Sequence, residues 1–250
     1  MDGDRLRVSV LASGSGTNFQ ALVDRFHGRP ETLVHLGLLL ASRPGISALA
    51  RAERAGVPTA ILETKREAES LRERLAEVGT DLVVLAGYLR LIPAEIVREY
   101  WGRMINIHPA LLPAFGGEGM YGRRVHEAVL EAGARVTGVT VHFVDESYDR
   151  GPIIAQWPVP VKRGDDPQTL AARVLEIEHW LLGAVVDRLA AGEVRLASDG
   201  TCEWRTELFP AEGFVLAGRK PTTGDGSGAA EPTDGPGAAE PTEGTSGGNR

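Results

Sequence analysis

Several things are scarce in this sequence, and each shortage excludes something. Cys202 is the lone cysteine among 250 residues, so no intrachain disulfide and no multi-cysteine metal site can be built. That fits a reducing cytoplasm. No apolar run is long enough to span a bilayer. The opening Met-Asp-Gly-Asp leads straight into the apolar stretch from Leu6 to Leu11, without the basic region and cleavage site of a signal peptide. A basic excess is missing too: 27 Lys and Arg against 34 Asp and Glu give a net charge of −7, so no global field holds a nucleic-acid backbone or an anionic membrane. A small anionic ligand is still accessible, because a helix N-terminus binds phosphate through backbone N–H groups alone. With 42% hydrophobic residues the chain can bury the core of one large α/β domain or two small ones.

Short β-branched or Leu-rich runs read as strands: Leu6 to Ala12, Val34 to Ala41, Thr59 to Leu62, Leu82 to Ala86, Met104 to His108 and Val139 to Val144. Between them Asn18 to Phe26, Ile46 to Ala55, Arg66 to Val78, Pro93 to Tyr100 and Arg123 to Ala132 carry apolar residues at helical spacing. The alternation predicts a doubly wound, mostly parallel sheet with helices on both faces, a Rossmann-like α/β fold whose ligands gather at the carboxyl ends of the strands. Pro167 to Leu189 reads as a long final helix, followed by short segments at Glu193 to Leu196 and Cys202 to Arg205. From about Arg219 the composition turns to Gly, Ala, Pro, Thr, Glu and Ser, with Gly-Ala-Ala-Glu-Pro-Thr occurring twice. Such a stretch buries too little apolar surface to offset its ordering entropy. The expected division is therefore a catalytic domain over 1–215 and a disordered acidic tail over 216–250.

Two motifs point to chemistry. Ala12-Ser13-Gly14-Ser15-Gly16-Thr17-Asn18 joins the first strand to a helix, and its glycines let the backbone turn and approach an anion while Thr17 and the first amides donate to it. A dinucleotide fingerprint would require a third glycine near Phe19 and an acidic residue ending the second strand. That strand ends Ser42-Arg43, which favours a monophosphate. Alternatively the loop is only a strand-to-helix turn. The second motif is Asn106-Ile107-His108-Pro109, where strand alternation puts Asn106 and His108 on one side at a carboxyl end and Pro109 stops the strand. Acyl transfer needs that pair: an amide donor for a tetrahedral oxyanion, and an imidazole that takes a proton from the attacking amine and returns one to the leaving group. A packed, hydrogen-bonded Asn and His would present the same spacing. Downstream, the strand carrying His142 runs into the acidic loop Asp145-Glu146-Ser147-Tyr148-Asp149; a carboxylate from it over Asn106 and His108 would orient the imidazole, whereas solvated turn residues are the alternative.

Taken in this order, the glycine loop, the segment Asn106-Ile107-His108-Pro109-Ala110-Leu111-Leu112-Pro113 and Asp149-Arg150-Gly151-Pro152 resemble the folate-dependent phosphoribosylglycinamide formyltransferases of purine synthesis, over roughly Leu6 to Leu208. The resemblance implies transfer of a formyl group from 10-formyltetrahydrofolate, as co-substrate and without a metal, to the amine of glycinamide ribonucleotide. It implies that Asn106 polarises the formyl carbonyl, that His108 is general acid and base, and that Asp149 keeps His108 protonated or relays protons through a water. Gly16, Thr17 and Asn18 would then bind the substrate phosphate and Glu178 the ribose. The folate would contact Leu89, Arg90, Leu91, Ile92, Val144 and Asp145, along with Asn106, and Arg66 would meet its glutamate. Small molecules are the implied partners, with neither nucleic acid nor membrane. After Pro113, where many relatives carry a Phe-Pro-Gly turn and a histidine-bearing stretch, this chain has Phe115-Gly116-Gly117-Glu118-Gly119-Met120-Tyr121-Gly122. Its glycines predict a flexible loop that orders around substrate, and His126 in the following helix reads as structural.

Three other readings compete. A methionyl-tRNA formyltransferase shares the Asn106 to Pro113 chemistry but would carry an RNA-contacting C-terminal domain, where this chain is acidic and of low complexity. A formyltetrahydrofolate hydrolase would leave the glycine loop without a purpose. A non-catalytic NADP-binding module, with Arg43 on a ribose phosphate, would leave Asn106, His108 and Asp149 without one.

Overall fold

Val8 to Ala12 are buried without alternation, as expected of a strand covered on both faces. In the computed structural model, which describes residues 5–205, this strand, β1 (Leu6–Ala12), lies inside a seven-stranded sheet. On one side of it are β2 (Val34–Ala41) and β3 (Thr59–Ile61); on the other are β4 (Leu82–Leu85), β5 (Met104–His108), β6 (Val136–Phe143) and β7 (Ile153–Pro160), in the order β3-β2-β1-β4-β5-β6-β7. β1 to β5 run parallel, while β6 and β7 pair antiparallel. The chain winds outward from β1 to β3, then returns to the other side of β1 at β4. That reversal opens a crevice beyond the carboxyl ends of β1 and β4.

Successive strand residues face opposite layers. Val8, Val10, Leu82 and Val84 join a core with α1 (Thr17–Phe26), α2 (Ser47–Ala55), α5 (Arg123–Glu131) and α6 (Pro167–Ala190). Leu11, Val83 and Leu85 join the opposite core with α3 (Glu67–Glu77) and α4 (Ala94–Glu99). A capping box starts α6: Asp166 accepts from the Thr169 N–H at 2.7 Å, the Asp166 N–H donates to the Thr169 hydroxyl at 2.9 Å, and Pro167 occupies the first turn. A hairpin of β8 (Val194–Leu196) and β9 (Cys202–Trp204) follows.

The mostly parallel sheet with helices on both faces agrees with the sequence reading, and β1, β2 and β5 have the bounds expected. β7 is the strand that reading lacks. Pro158 and Pro160 interrupt its pattern, and they are tolerated because β7 is an edge strand with β6 as its single neighbour. Helix α3 begins one residue later than expected, after a 3-10 turn over Thr64–Arg66. The expected boundary near residue 215 and the tail over 216–250 lie outside the described residues. Among the described residues, no helix is long and apolar enough to cross a membrane.

Candidate active site

The turn after β1, the segment after β4 and the end of β5 meet at the crevice, around a cavity of about 920 Å³. Antiparallel pairing brings the fourth wall. The β5–β6 register sets Asn106 opposite His142 and His108 opposite Thr140, so polar residues of β6 stand beside the pair that strand alternation placed together.

The hydrogen bonds then fix donors and acceptors. His108 Nε2 lies 2.8 Å from the Phe115 carbonyl; a carbonyl only accepts, so this nitrogen carries a hydrogen, and Nδ1 is the site for a second proton. Asp149 Oδ2 is 3.4 Å from that Nδ1. His142 Nδ1 lies 2.8 Å from the Phe143 carbonyl and therefore donates, leaving Nε2 to accept from Asn106 Nδ2 at 3.1 Å. The same amide nitrogen donates to Asp149 Oδ1 at 3.3 Å. The orientation of the Asn106 amide follows, because both neighbours are acceptors. Asp149, with φ at 55°, also accepts from the Gly117 N–H at 2.9 Å.

Burial and charge compete in this cluster. His108 is 3% exposed. Burial pushes its pKa below the ordinary histidine value, outweighing the attraction of Asp149 and the Phe115 carbonyl, which act upward. At Asp149 burial acts upward, yet the His142 contact, the His108 charge and the Gly117 N–H prevail and hold its carboxyl below the usual range. Near neutral pH the ring is thus a neutral base beside a carboxylate. Asp149 acts toward the protonated ring and moderates the effect of burial.

The segment after β5 is fastened from behind. The Thr140 hydroxyl donates to the Ala110 carbonyl at 2.7 Å and accepts from the Leu112 N–H at 3.0 Å. Gln156 on β7 adds a bond to the Leu112 carbonyl at 2.8 Å. Neither residue carries a sequence signal, since their partners depend on antiparallel strands that the local pattern does not reveal.

On the α1 side, Gly16 adopts φ 71° immediately before Thr17, and an added Cβ would lie 2.6 Å from the Ala48 side chain, so glycine is required there for both conformation and space. No side chain caps α1, and the first-turn amides have no partner within the helix. The Thr17 hydroxyl makes no cap. The Asn18 side chain does not face a ligand alone: its Nδ2 donates to Glu178 Oε2 at 2.6 Å. This bond joins α1 to α6 beneath the loop, and burial raises the Glu178 pKa with partial relief from Asn18.

Leu89, Arg90, Leu91, Ile92, Val144 and Asp145 all line the cavity, with Leu89 and Leu91 each more than two-fifths exposed at its mouth. Arg90 is held by Glu67 at 3.2 Å and by the Ser42 carbonyl. Arg66 is the residue the structure leaves out of the cavity lining; it is exposed, and its guanidinium is drawn to Glu69 and Glu73 on the first turns of α3. The glycine-rich loop after Pro113 has packing and hydrogen-bonding roles. Gly116 serves close packing, since a Cβ there would meet Leu112 at 2.4 Å and Asp149 at 3.2 Å. The Phe115 carbonyl and Gly117 N–H are engaged by His108 and Asp149. His126 is buried in α5, as a structural residue would be, but it also lines the cavity, and its Nδ1 has no hydrogen-bond partner among the described residues. Among those residues no group of three or more His, Cys, Asp or Glu could hold a metal ion.

Comparison with known proteins places this geometry. A family model described as formyl transferase matches residues 6–186. The trifunctional purine biosynthetic protein adenosine-3 of Bos taurus is 43% identical over 209 residues, covering 81% of this chain and 20% of that protein. The chain thus spans about a fifth of the length of that relative. The chloroplastic phosphoribosylglycinamide formyltransferase of Arabidopsis thaliana is 42% identical, covering 78% of this chain and 69% of that one. Among solved structures, phosphoribosylglycinamide formyltransferase from Anaplasma phagocytophilum superimposes with a TM-score of 0.74 at 35% identity, covering 81% of this chain and 94% of the other.

Proposed function

The chain belongs to the formyl transferase family, and on that premise we propose that it transfers a formyl group from 10-formyltetrahydrofolate to the amine of 5'-phosphoribosylglycinamide. The products are formylglycinamide ribonucleotide and tetrahydrofolate, in purine biosynthesis. The observation that carries this reading is a single cavity holding the Asn106, His108 and Asp149 cluster beside a glycine loop joined to Glu178.

In this mechanism the ribonucleotide amine attacks the formyl carbon, and the carbonyl oxygen becomes an oxyanion. Asn106 Nδ2 donates to that oxygen, exchanging its longer bond, the 3.3 Å contact to Asp149, for one to the developing charge. His108 accepts the amine proton at Nδ1, and Asp149 stabilises the imidazolium so formed. The bond from the formyl carbon to the folate nitrogen then breaks, and that nitrogen takes the proton back from His108. The balance is one formyl group exchanged for one hydrogen.

The amides of Gly16, Thr17 and Asn18 face the phosphate at the start of α1, and Glu178 accepts from ribose hydroxyls. The folate packs on Leu89, Leu91, Ile92 and Val144, with Arg90 and Asp145 at its polar edges and Arg66 outside, reached only by its glutamate. Residues 1–215 form the catalytic unit, 216–250 lie outside it, and the enzyme acts in the cytoplasm.

The test is a spectrophotometric assay with a 10-formyl folate and glycinamide ribonucleotide, run beside water and tRNA as acceptors. Formyl transfer to the ribonucleotide alone supports the reading. Transfer to water or tRNA in its place overturns it.

A further inference from the structure

A substrate that carries a phosphate brings about two negative charges into the cavity, and the cavity wall is already acidic, with Glu118, Asp145, Asp149 and Glu178 lining it. The cations that face this charge can be sorted by their existing partners. Among the described residues the lining contains three arginines and no lysine. Arg90 is ion-paired with Glu67 at 3.2 Å, and Arg123 with Glu127 at 2.6 Å. Arg51 lies behind the glycine loop outside the lining, and its guanidinium donates to the Ser15 carbonyl at 2.8 Å. Arg124 differs from all of these. Among the described residues it has no carboxylate or carbonyl partner, and its guanidinium sits 5.2 Å from the centre of the Tyr121 ring, which orients the charge without neutralising it.

The position of Arg124 in the fold selects which anion it meets. It sits in the first turn of α5, and α5 packs on α6, which in turn packs on α1, on one face of the sheet, the face that supplies the glycine loop and Glu178. The folate-side segments of the cavity abut the other core, through Leu85, Tyr88, Ile92 and Val144. His126, two residues on, points away from Arg124 on the helix and toward His108, so among the described residues of α5 that line the cavity Arg124 is the cation without an ion pair. We propose that Arg124 supplies the positive charge that binds the phosphate of the ribonucleotide, completing a site whose other donors are backbone amides. The assignment rests on the formyl-transfer reading for the identity of the ribonucleotide. Its physical content is wider: a sugar phosphate binds here better than the same sugar without phosphate.

Arg124→Ala in the full chain tests it. The expected result is a rise of about tenfold or more in KM for the ribonucleotide, from loss of a charge-assisted hydrogen bond, with kcat and the KM for the formyl folate nearly unchanged. Arg124→Lys restores part of the loss, because an ammonium keeps the charge without the fork. A rise in KM for the folate instead would assign Arg124 to the folate carboxylate and overturn the proposal, as would unchanged values of both. Calorimetric titration with ribose 5-phosphate and with ribose separates this proposal from the formyl-transfer reading. If the parent protein transfers no formyl group yet binds ribose 5-phosphate more tightly than ribose, and Arg124→Ala loses that preference, the proposal stands while the reading fails. If the parent shows no preference for the phosphate, the proposal fails.

Discussion

The wall of the cavity made by β5 and β6 and the mouth made by Leu89, Leu91, Tyr121 and Arg124 are built on opposite principles. At the wall His108, His142 and Asp149 are almost wholly enclosed, and each ring nitrogen and carboxylate oxygen has a polar partner in the cluster or on the backbone. At the mouth large apolar groups and a cation are exposed, with few bonds among themselves. Chemistry requires fixed donors whose alignment costs nothing at the moment of reaction; recognition requires surface that a ligand can cover. The difference teaches where to expect effects on turnover and where to expect effects on affinity.

Substitutions graded from wall to mouth can break or sharpen this contrast. His108→Ala is expected to have the largest effect, lowering kcat by about two to four orders of magnitude, and Asn106→Ala follows at about two to three, each with an unchanged circular dichroism spectrum. Near-normal turnover in either folded variant would remove the wall from the chemistry. Asp149→Asn should cost about a hundredfold in kcat/KM and also move the acid limb of its pH profile. Because the carboxylate acts to raise the His108 pKa, its removal shifts that limb to lower pH; a shift to higher pH would contradict the assignment.

Glu178→Gln lies between the two regions, and is expected to raise the ribonucleotide KM by about tenfold. It has a second signature. Burial raises the Glu178 pKa above the ordinary glutamate value of 4.5, so the protonated form contributes stability that is present at low pH and lost as pH rises through the raised value. The variant should therefore gain in melting temperature relative to the parent as pH rises, and a constant difference would refute that account. Leu89→Ala at the mouth is expected to have the smallest effect, about threefold to tenfold on the folate KM from lost apolar contact, with kcat unmoved.

The same contrast governs what the sequence made legible. Asn106 and His108 are two residues apart on one strand, so strand alternation alone places them together. Asp149 and His142 reach them through antiparallel pairing of β6, which no local pattern encodes, and the helix α5 between β5 and β6 suggests a parallel crossover instead. Thr140 and Gln156 were invisible for the same reason, Gln156 doubly so because its strand contains two prolines. Glu178 and Asn18 come from helices separated by most of the fold, and their 2.6 Å bond required the sheet to be assembled first. Arg66 shows what residue type alone leaves out: suited to a carboxylate ligand, it lies outside the cavity lining and is drawn to its own neighbours Glu69 and Glu73.

Thr140 and Gln156 pin the chain as far as Leu112, the Phe115 carbonyl and Gly117 N–H are tied to the cluster, and α5 starts at Arg123. Residues 118–122 therefore span two anchored points as a bridge that itself lines the cavity and carries Tyr121. Closing a somewhat longer or shorter bridge between these anchors changes its entropy only slowly with length, so a change of length there would reshape the rim around Tyr121 and Arg124 while the bonds around His108 keep their own anchors.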